Sequence, residues 1–307
     1  MPCFERSNYL MPVGLGYHAS CEFNRKVYTT GGYDGANYYG RTWESQDGEN
    51  FTRLGAANEI NPARAAHAMV EHDGRLYLAG GNDGVNDLSD VWRSCNGKDW
   101  ERIQANAFTA RRSFVMLSYD KRLWVIGGWG PQGTCMSDCW ASYDGVNWRQ
   151  IINNHNILRK AMFAGCVFDG KMWISAGYDG NTTQCSRDCY WSVNGTDWNY
   201  VETPSASSFA AIHSHTMTVF DNKIVIIGGS TDPDILGVGM VDDLYFSRNG
   251  TDWALGCGNI GTTVMCHSAV AFTPKNRLFI YGGIDATGGF ADDTWQSLGC
   301  EFLDKAW

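Results

Sequence analysis

Three groups of residues in this 307-residue chain have types and spacings that could do chemistry. His18, His67, His215 and His267 are imidazoles that, set round one axis, could suggest a metal site. Cys135-x-x-x-Cys139 and Cys185-x-x-x-Cys189 would supply the four thiolates of a zinc clip between loops. Arg64, Arg111, Arg112, Arg159 and Lys160 form the third group, with Asp90, Asp138, Asp188, Asp243 and Asp293 as a recurring set of carboxylates. Arginine with carboxylate could hold an anion or do acid/base work on a sugar acid. Each reading depends on the elements that position these side chains, and those elements follow from a repeat.

Small-residue pairs recur after an apolar run as Gly31-Gly32, Gly80-Gly81, Gly127-Gly128, Ala176-Gly177, Gly228-Gly229 and Gly282-Gly283, at spacings of 49, 47, 49, 52 and 54. The preceding runs, such as Leu76-Tyr77-Leu78-Ala79 and Ile224-Val225-Ile226-Ile227, are short, rich in β-formers and bounded by turn residues, as buried strands are. Upstream lies an inner strand, for example Ala66–Val70 or Phe163–Val167, joined to the run by a turn such as His72-Asp73-Gly74 or Asp221-Asn222-Lys223. Downstream comes a third strand marked by Trp43, Trp92, Trp140, Tyr190, Tyr245 and Trp295. A fourth opens at Phe51, Trp100, Trp148, Trp198 and Trp253, after hairpin turns that include Asp47-Gly48 and Asn96-Gly97. Four antiparallel strands repeated radially make an all-β, six-bladed β-propeller.

The pattern resembles the kelch-repeat family, whose repeat of about 50 residues carries the Gly-Gly pair and the spaced aromatics. The resemblance implies one propeller over residues 1–307, with blades near 14–60, 61–108, 109–157, 158–208, 209–260 and 261–300 plus 1–10. Cys3-Phe4-Glu5-Arg6 reads like Asp99-Trp100-Glu101-Arg102, so the N-terminal strand is expected to complete the sixth blade and close the ring. Glu301–Trp307 is the competing candidate for that strand.

The six copies act as an internal control: what recurs is explained by what blades share, and a site must come from what differs. Repeated glycines and the paired tryptophans are then framework and core. The four histidines share one position with Phe114 and Phe163, which favours a packed ring lining the channel over a metal site. Recurring aspartates suit hydrogen bonding at loop ends, and the cysteines suit buried or redox-silent thiols. His213 stands apart from the ring and is expected at the surface. No cofactor and no metal are expected, and no nucleophile, base and orienting residue assemble into a catalytic set.

Composition narrows the partners. The chain has 36 Gly, 13 Trp, 14 Tyr and 14 Phe and only 19% charged residues, which excludes a disordered chain. Its 24 Lys+Arg against 33 Asp+Glu give −9, which excludes nucleic acid and anionic membranes as favoured partners. No apolar run is long enough to span a bilayer, and the first residues lack a secretory signal, which points to the cytoplasm. A virion or extracellular surface is the alternative location. The first-to-second turns carry bases such as Lys26, Lys171 and Lys275, whereas the second-to-third loops carry acids such as Asp34, Asp83 and Asp87.

Recognition is expected on the loop-rich face, through Tyr33, Arg64, Arg111, Arg112, Trp129, Arg159 and Tyr178. Kelch-like propellers commonly serve as binding modules, so the resemblance implies a non-catalytic scaffold recognising a protein partner. A carbohydrate or anionic small ligand is the other ligand class. Two alternatives stand beside it: a sugar-acid enzyme resembling the six-bladed sialate mutarotases, and a structural or receptor-binding protein of a virion or cell surface.

Overall fold

The computed structural model describes residues 4–55, 59–201, 209–233, 238–256 and 260–298. They form six blades of antiparallel strands in chain order round an axis, with one further two-stranded pair, Val264–Met265 with Ile284–Asp285. Ala19–Phe23, Lys26–Thr30, Thr42–Ser45 and Phe51–Arg53 make the first, and Ala68–His72, Arg75–Ala79, Val91–Ser94 and Glu101–Gln104 the second. The inner strand of the second blade starts at Ala68, two residues later than the sequence pattern suggests, because Ala66 sits in the left-handed region at φ 54°. In the sixth blade, Ser268–Phe272, Arg277–Tyr281 and Thr294–Ser297 are joined at the outer edge by Phe4–Arg6, with Phe4 opposite Ser297. The competing segment, residues 301–307, lies outside the described residues, as do residues 234–237 of the long fifth-blade loop.

Local chemistry explains these elements. In the first-to-second turns, residue pairs such as Asp73/Gly74 (φ 48° and 69°) and Asp120/Lys121 (φ 49° and 58°) are both left-handed. That is the primed turn whose twist matches a hairpin. Because each sheet is sandwiched between two others, its second strand is buried on both faces, and Lys223–Ile227 is buried throughout. The glycines of the third-to-fourth hairpins add a packing role. A Cβ on Gly97 would stand 2.2 Å from the ring of Tyr28, one on Gly195 2.1 Å from Trp124, and one on Gly250 2.2 Å from Trp173. A second-strand aromatic therefore seats on the bare turn of the next blade. Phe279 of the last blade does the same on Gly48 of the first, at 2.7 Å.

Two cycles of backbone hydrogen bonds run round the axis. In one, the second glycine of each pair donates to the next blade: Gly32 to Arg64, Gly81 to Arg111, Gly128 to Lys160, Gly177 to Ile212, Gly229 to Val264 and Gly283 to Leu15, at 2.7–2.9 Å. In the other, Tyr17 donates to Cys266, Cys266 to Ser214, Ser214 to Met162, Met162 to Ser113, Ser113 to Ala66 and Ala66 to Tyr17, also at 2.7–2.9 Å. The second glycines hold φ between 94° and 105°, where side chains are excluded, whereas the first position, at φ 53–62°, accepts Ala176.

Two outcomes follow. Gly128→Ala places a Cβ 2.5 Å from that of Phe114 and should cost about 3 kcal/mol or more. Gly127→Ala takes a conformation Ala176 already adopts but brings its Cβ 2.8 Å from Leu158 O, so it should destabilise less than Gly128→Ala without being neutral, as measured by denaturant unfolding. Deleting residues 1–10 should lower the melting temperature markedly by exposing the edge of Thr294–Ser297; an unchanged melting temperature would remove residues 4–6 from any stabilising role.

Candidate functional site

Where each chain segment arrives at the axis from the preceding blade, it makes one pairing with the residue just after the small-residue pair. Gly16↔Tyr33, Ala65↔Asn82, Arg112↔Trp129 and His213↔Ser230 are bridges of this kind. Ala161↔Tyr178 and Met265↔Ile284 are the same pairing within short strands. The backbone is common to six blades while the side chains differ at every turn, so this ring carries the individuality of the loop face.

Tyr33, Arg112 and Trp129 meet with Tyr17, Tyr38 and Met162 around a cavity of about 330 Å³ at the axis. The rings of Tyr33 and Tyr38 stand 4.8 Å apart, and Tyr33 meets Phe290 edge-on at 5.4 Å. Arg112 Nη1 donates to Asp87 Oδ1 at 2.5 Å, but its side chain remains 34% exposed while Asp87 is only 6% exposed. The carboxylate is thus committed and part of the guanidinium is open to the cavity. Burial and the neighbouring Tyr33 raise the Tyr38 phenol, with Arg112 pulling against them. The Cys266 thiol beside it and burial hold the Tyr17 phenol well above its ordinary range. Both therefore stay protonated donors near neutral pH.

Trp129, Arg159 and Tyr178 line a second cavity of about 250 Å³, and Trp129 is shared by the two. Its ring meets that of Tyr178 edge-on at 5.0 Å. Arg64 and Arg111 lie elsewhere. Each is fully buried and forms a two-pronged pair, Arg64 with Asp90 and Arg111 with Asp138, at 2.6 and 2.9 Å in both cases. Their remaining donors reach backbone carbonyls of Gly80 and Pro62, or of Gly127 and Thr109. Geometry thus takes these two arginines out of the set that a ligand on the loop face could touch. The same aspartates accept from the Trp92 and Trp140 indoles, so their recurrence marks counterions as well as loop ends. Lys160 takes the equivalent place in the fourth blade, 3.5 Å from Asp179 and 3.6 Å from Asp188.

The four histidines line a narrow axial channel of about 120 Å³ with Phe114 and Phe163. Each Nε2 meets a hydroxyl of another strand: His18 with Ser268, His67 with Thr30, His215 with Ser175 and His267 with Thr216, at 2.9–3.0 Å. Among the described residues no group of three or more His, Cys, Asp or Glu is placed to hold a metal. Cys139 and Cys189 are fully buried, while Cys135 belongs to the second cavity and burial pushes its thiol up to about 12. His213 is a correction: it is buried, with Nδ1 on Ser214 Oγ and Nε2 on the Asp232 carbonyl. It occupies the ring position that Arg112 holds two blades earlier, which ties it inward. The bases of the opposite face are also less free than their number suggests, since Lys26 pairs with Glu44 and Lys275 with Glu49.

Tyr17, Asn82 and Met162 were not singled out from the sequence. Asn82 was findable, since it follows Gly80-Gly81 as Trp129 follows its own pair. Tyr17 and Met162 precede the channel-lining ring by one residue, and nothing in composition shows that this position turns left-handed, at φ 59° and 52°.

A family model described as the KLHDC2/KLHL20/DRC7 Kelch-repeats domain matches residues 17–229. The solved structure of YjhT aligns with 93% of this chain and 95% of its own, with a TM-score of 0.75 and 14% identity, a likeness of fold. No curated protein matches.

The buried imidazoles set an acid limit. Burial holds His18 down to about 4 and His67, His215 and His267 to about 3. Unfolded imidazoles titrate near 6.5, so the unfolded chain binds more protons below that pH. This stability is present above about pH 6.5 and lost as the pH falls towards 4 and 3. Melting temperature should drop steeply across that interval, and His67→Phe, copying Phe114 and Phe163, should make the drop shallower.

Proposed function

Given that the chain belongs to the Kelch-repeat family, we propose that it is a binding module that holds an acidic segment of a protein partner in the axial cavity of its loop face. The observation carrying this reading is Arg112: a part-exposed guanidinium whose ion pair to Asp87 leaves donors facing a cavity walled by Tyr33, Tyr38 and Trp129. Aromatic walls with one arginine are the composition of an interface anchor. Tyrosine and tryptophan supply apolar contact at low entropic cost, and the arginine fixes a carboxylate in place.

The lining also favours recognition over catalysis. Among the described residues of the axial cavity there is no carboxylate, imidazole or thiol, and the Tyr38 and Tyr17 phenols are raised rather than lowered. A general base poised near neutral pH has no candidate there. The framework arginines support the same division of labour: they spend their charge inside the blades, while Arg112 varies the ring without being needed by it, since Gly16, Ala65 and Ala161 hold the equivalent position.

The test is affinity capture from the native source with mass spectrometry, followed by titration of the captured partner. Arg112→Ala should raise the dissociation constant about tenfold or more, the loss of about 1.5–3 kcal/mol from charge-assisted hydrogen bonds. Its melting temperature should move only modestly, because the buried Asp87 keeps the Asn82 amide as a donor. Unchanged capture would refute the reading, and a large fall in melting temperature would assign Arg112 to the framework.

A further inference from the structure

The second cavity has a chemistry of its own. It lies between the third-blade loop, Trp129 to Cys135, and the extended fourth-blade hairpin of Lys171–Asp179 and Gln184–Ser192. Both walls are fixed: Trp129 bridges to Arg112 on one side and Cys135 on the other, and the hairpin is tied by Gly180 N–H donating to Arg159 O at 2.9 Å. Between them sits Arg159. Its Nε is buried with no hydrogen-bond partner, and among the described residues no carboxylate is in ion-pair range of its guanidinium. Lys160, the adjacent cation, is already committed to Asp179 and Asp188.

The internal control makes this arginine informative. Counting back one residue from the carbonyl that each second glycine binds, the equivalent positions are Gly14, Ala63, Ala110, Ala211 and Thr263. Five blades build the same junction with a small residue, so the fold does not require Arg159. Gly180 adds a second sign. Its backbone is not left-handed, yet a Cβ there would stand 2.6 Å from Cys135 Cβ and 3.0 Å from Arg159 Cγ. Space, not conformation, calls for glycine, and that space lets Arg159 sit against the cavity wall.

Arg159 lines the cavity with a guanidinium that no carboxylate among the described residues neutralises, and an uncompensated cation beside an aromatic wall favours an anionic ligand. We infer that the cavity of Trp129, Tyr178, Arg159 and Gly180 is a second, separate anion subsite, which takes a carboxylate carried on an apolar or aromatic group. A carboxylate fits better than a phosphate because a single planar fork is offered and the nearby lysine is spent. The aromatic pair Trp129 and Tyr178 provides the apolar wall. The inference deepens the proposed function and rests on it for one consequence only: the partner's segment carries two acidic groups, one on each side of Trp129.

The subsite can be tested without the partner. The full chain, labelled with ¹⁵N-arginine, is titrated with N-acetyl-phenylalaninate, with its neutral amide as control, while the Nε–Hε resonances of Arg159 and Arg112 are followed. Arg159→Gln assigns the first resonance and Arg112→Ala the second. The expected result is a saturable shift of the Arg159 resonance with the carboxylate, absent with the amide and retained in Arg112→Ala. Arg159→Gln should weaken binding at this cavity about tenfold or more. Arg159→Ala, which copies Ala63 and Ala110, should keep the melting temperature and serves as the folded control should Arg159→Gln misfold. Movement of Arg112 alone would overturn the subsite and leave the axial reading standing. If neither resonance moves, the subsite is overturned; equal shifts with acid and amide would overturn its anionic character.

Discussion

The molecule depends on a constraint at its axis: each blade must hand one backbone N–H to the blade after it and one to the blade before. The glycine cycle and the left-handed cycle each return to their starting residue after six hydrogen bonds. Both need conformations that L-residues avoid. The glycine cycle meets this with residues lacking a side chain, at φ near 100°. The other holds Tyr17, Ala66, Ser113, Met162, Ser214 and Cys266 left-handed, each at a cost of about 1 kcal/mol or more. That strain persists because the surrounding sheets over-determine it. It also turns the next residue towards the channel and the previous one towards the loop face, so one backbone device positions both the histidine ring and the site.

How far the sequence reveals this depends on repetition. Blade number, strand order and turn chemistry were legible because six copies agree, and each agreement has a local cause such as the Asp-Gly and Asn-Gly turns. The site was legible where a residue broke the pattern, as Arg112, Arg159 and Trp129 do. It was obscured where a residue followed a partial pattern. Arg64, Arg111 and Lys160 recur in three blades with Asp90, Asp138 and Asp188, while Leu15, Ile212 and Val264 fill the same place with buried carbon. In the first blade both members change, to Leu15 and Arg41, whereas Asp243 and Asp293 persist beside Ile212 and Val264 and take other partners, the Tyr245 hydroxyl and Arg6. A buried ion pair and a well-packed apolar residue are near-equivalent in stability, so a half-pattern was the signature of framework. The misplacement of His213 has the same origin, since its equivalence with Arg112 shows only when the bridges are seen.

Charge is accordingly distributed in two tiers. Inside the blades, Arg64 and Arg111 each meet one carboxylate in low dielectric, and Lys160 sits between two. On the loop face, Arg112 and Arg159 are cations placed beside aromatic surface without full compensation, so their field reaches outward into the cavities. The net charge of −9 describes neither tier.

The seating of aromatics on hairpin glycines gives the ring a sense of direction. Tyr28, Tyr77, Trp124, Trp173 and Phe279 each reach forward to Gly97, Gly145, Gly195, Gly250 and Gly48 of the following blade, and the ring sizes differ. The sockets must differ with them. Blades that look interchangeable in sequence are therefore keyed to a neighbour, like cut stones in an arch, and exchanging a tyrosine-bearing blade for a tryptophan-bearing one would leave one joint overfilled and another slack. Evolution by duplication could multiply such a unit freely, but once the keys diverged the order of the blades became part of the fold.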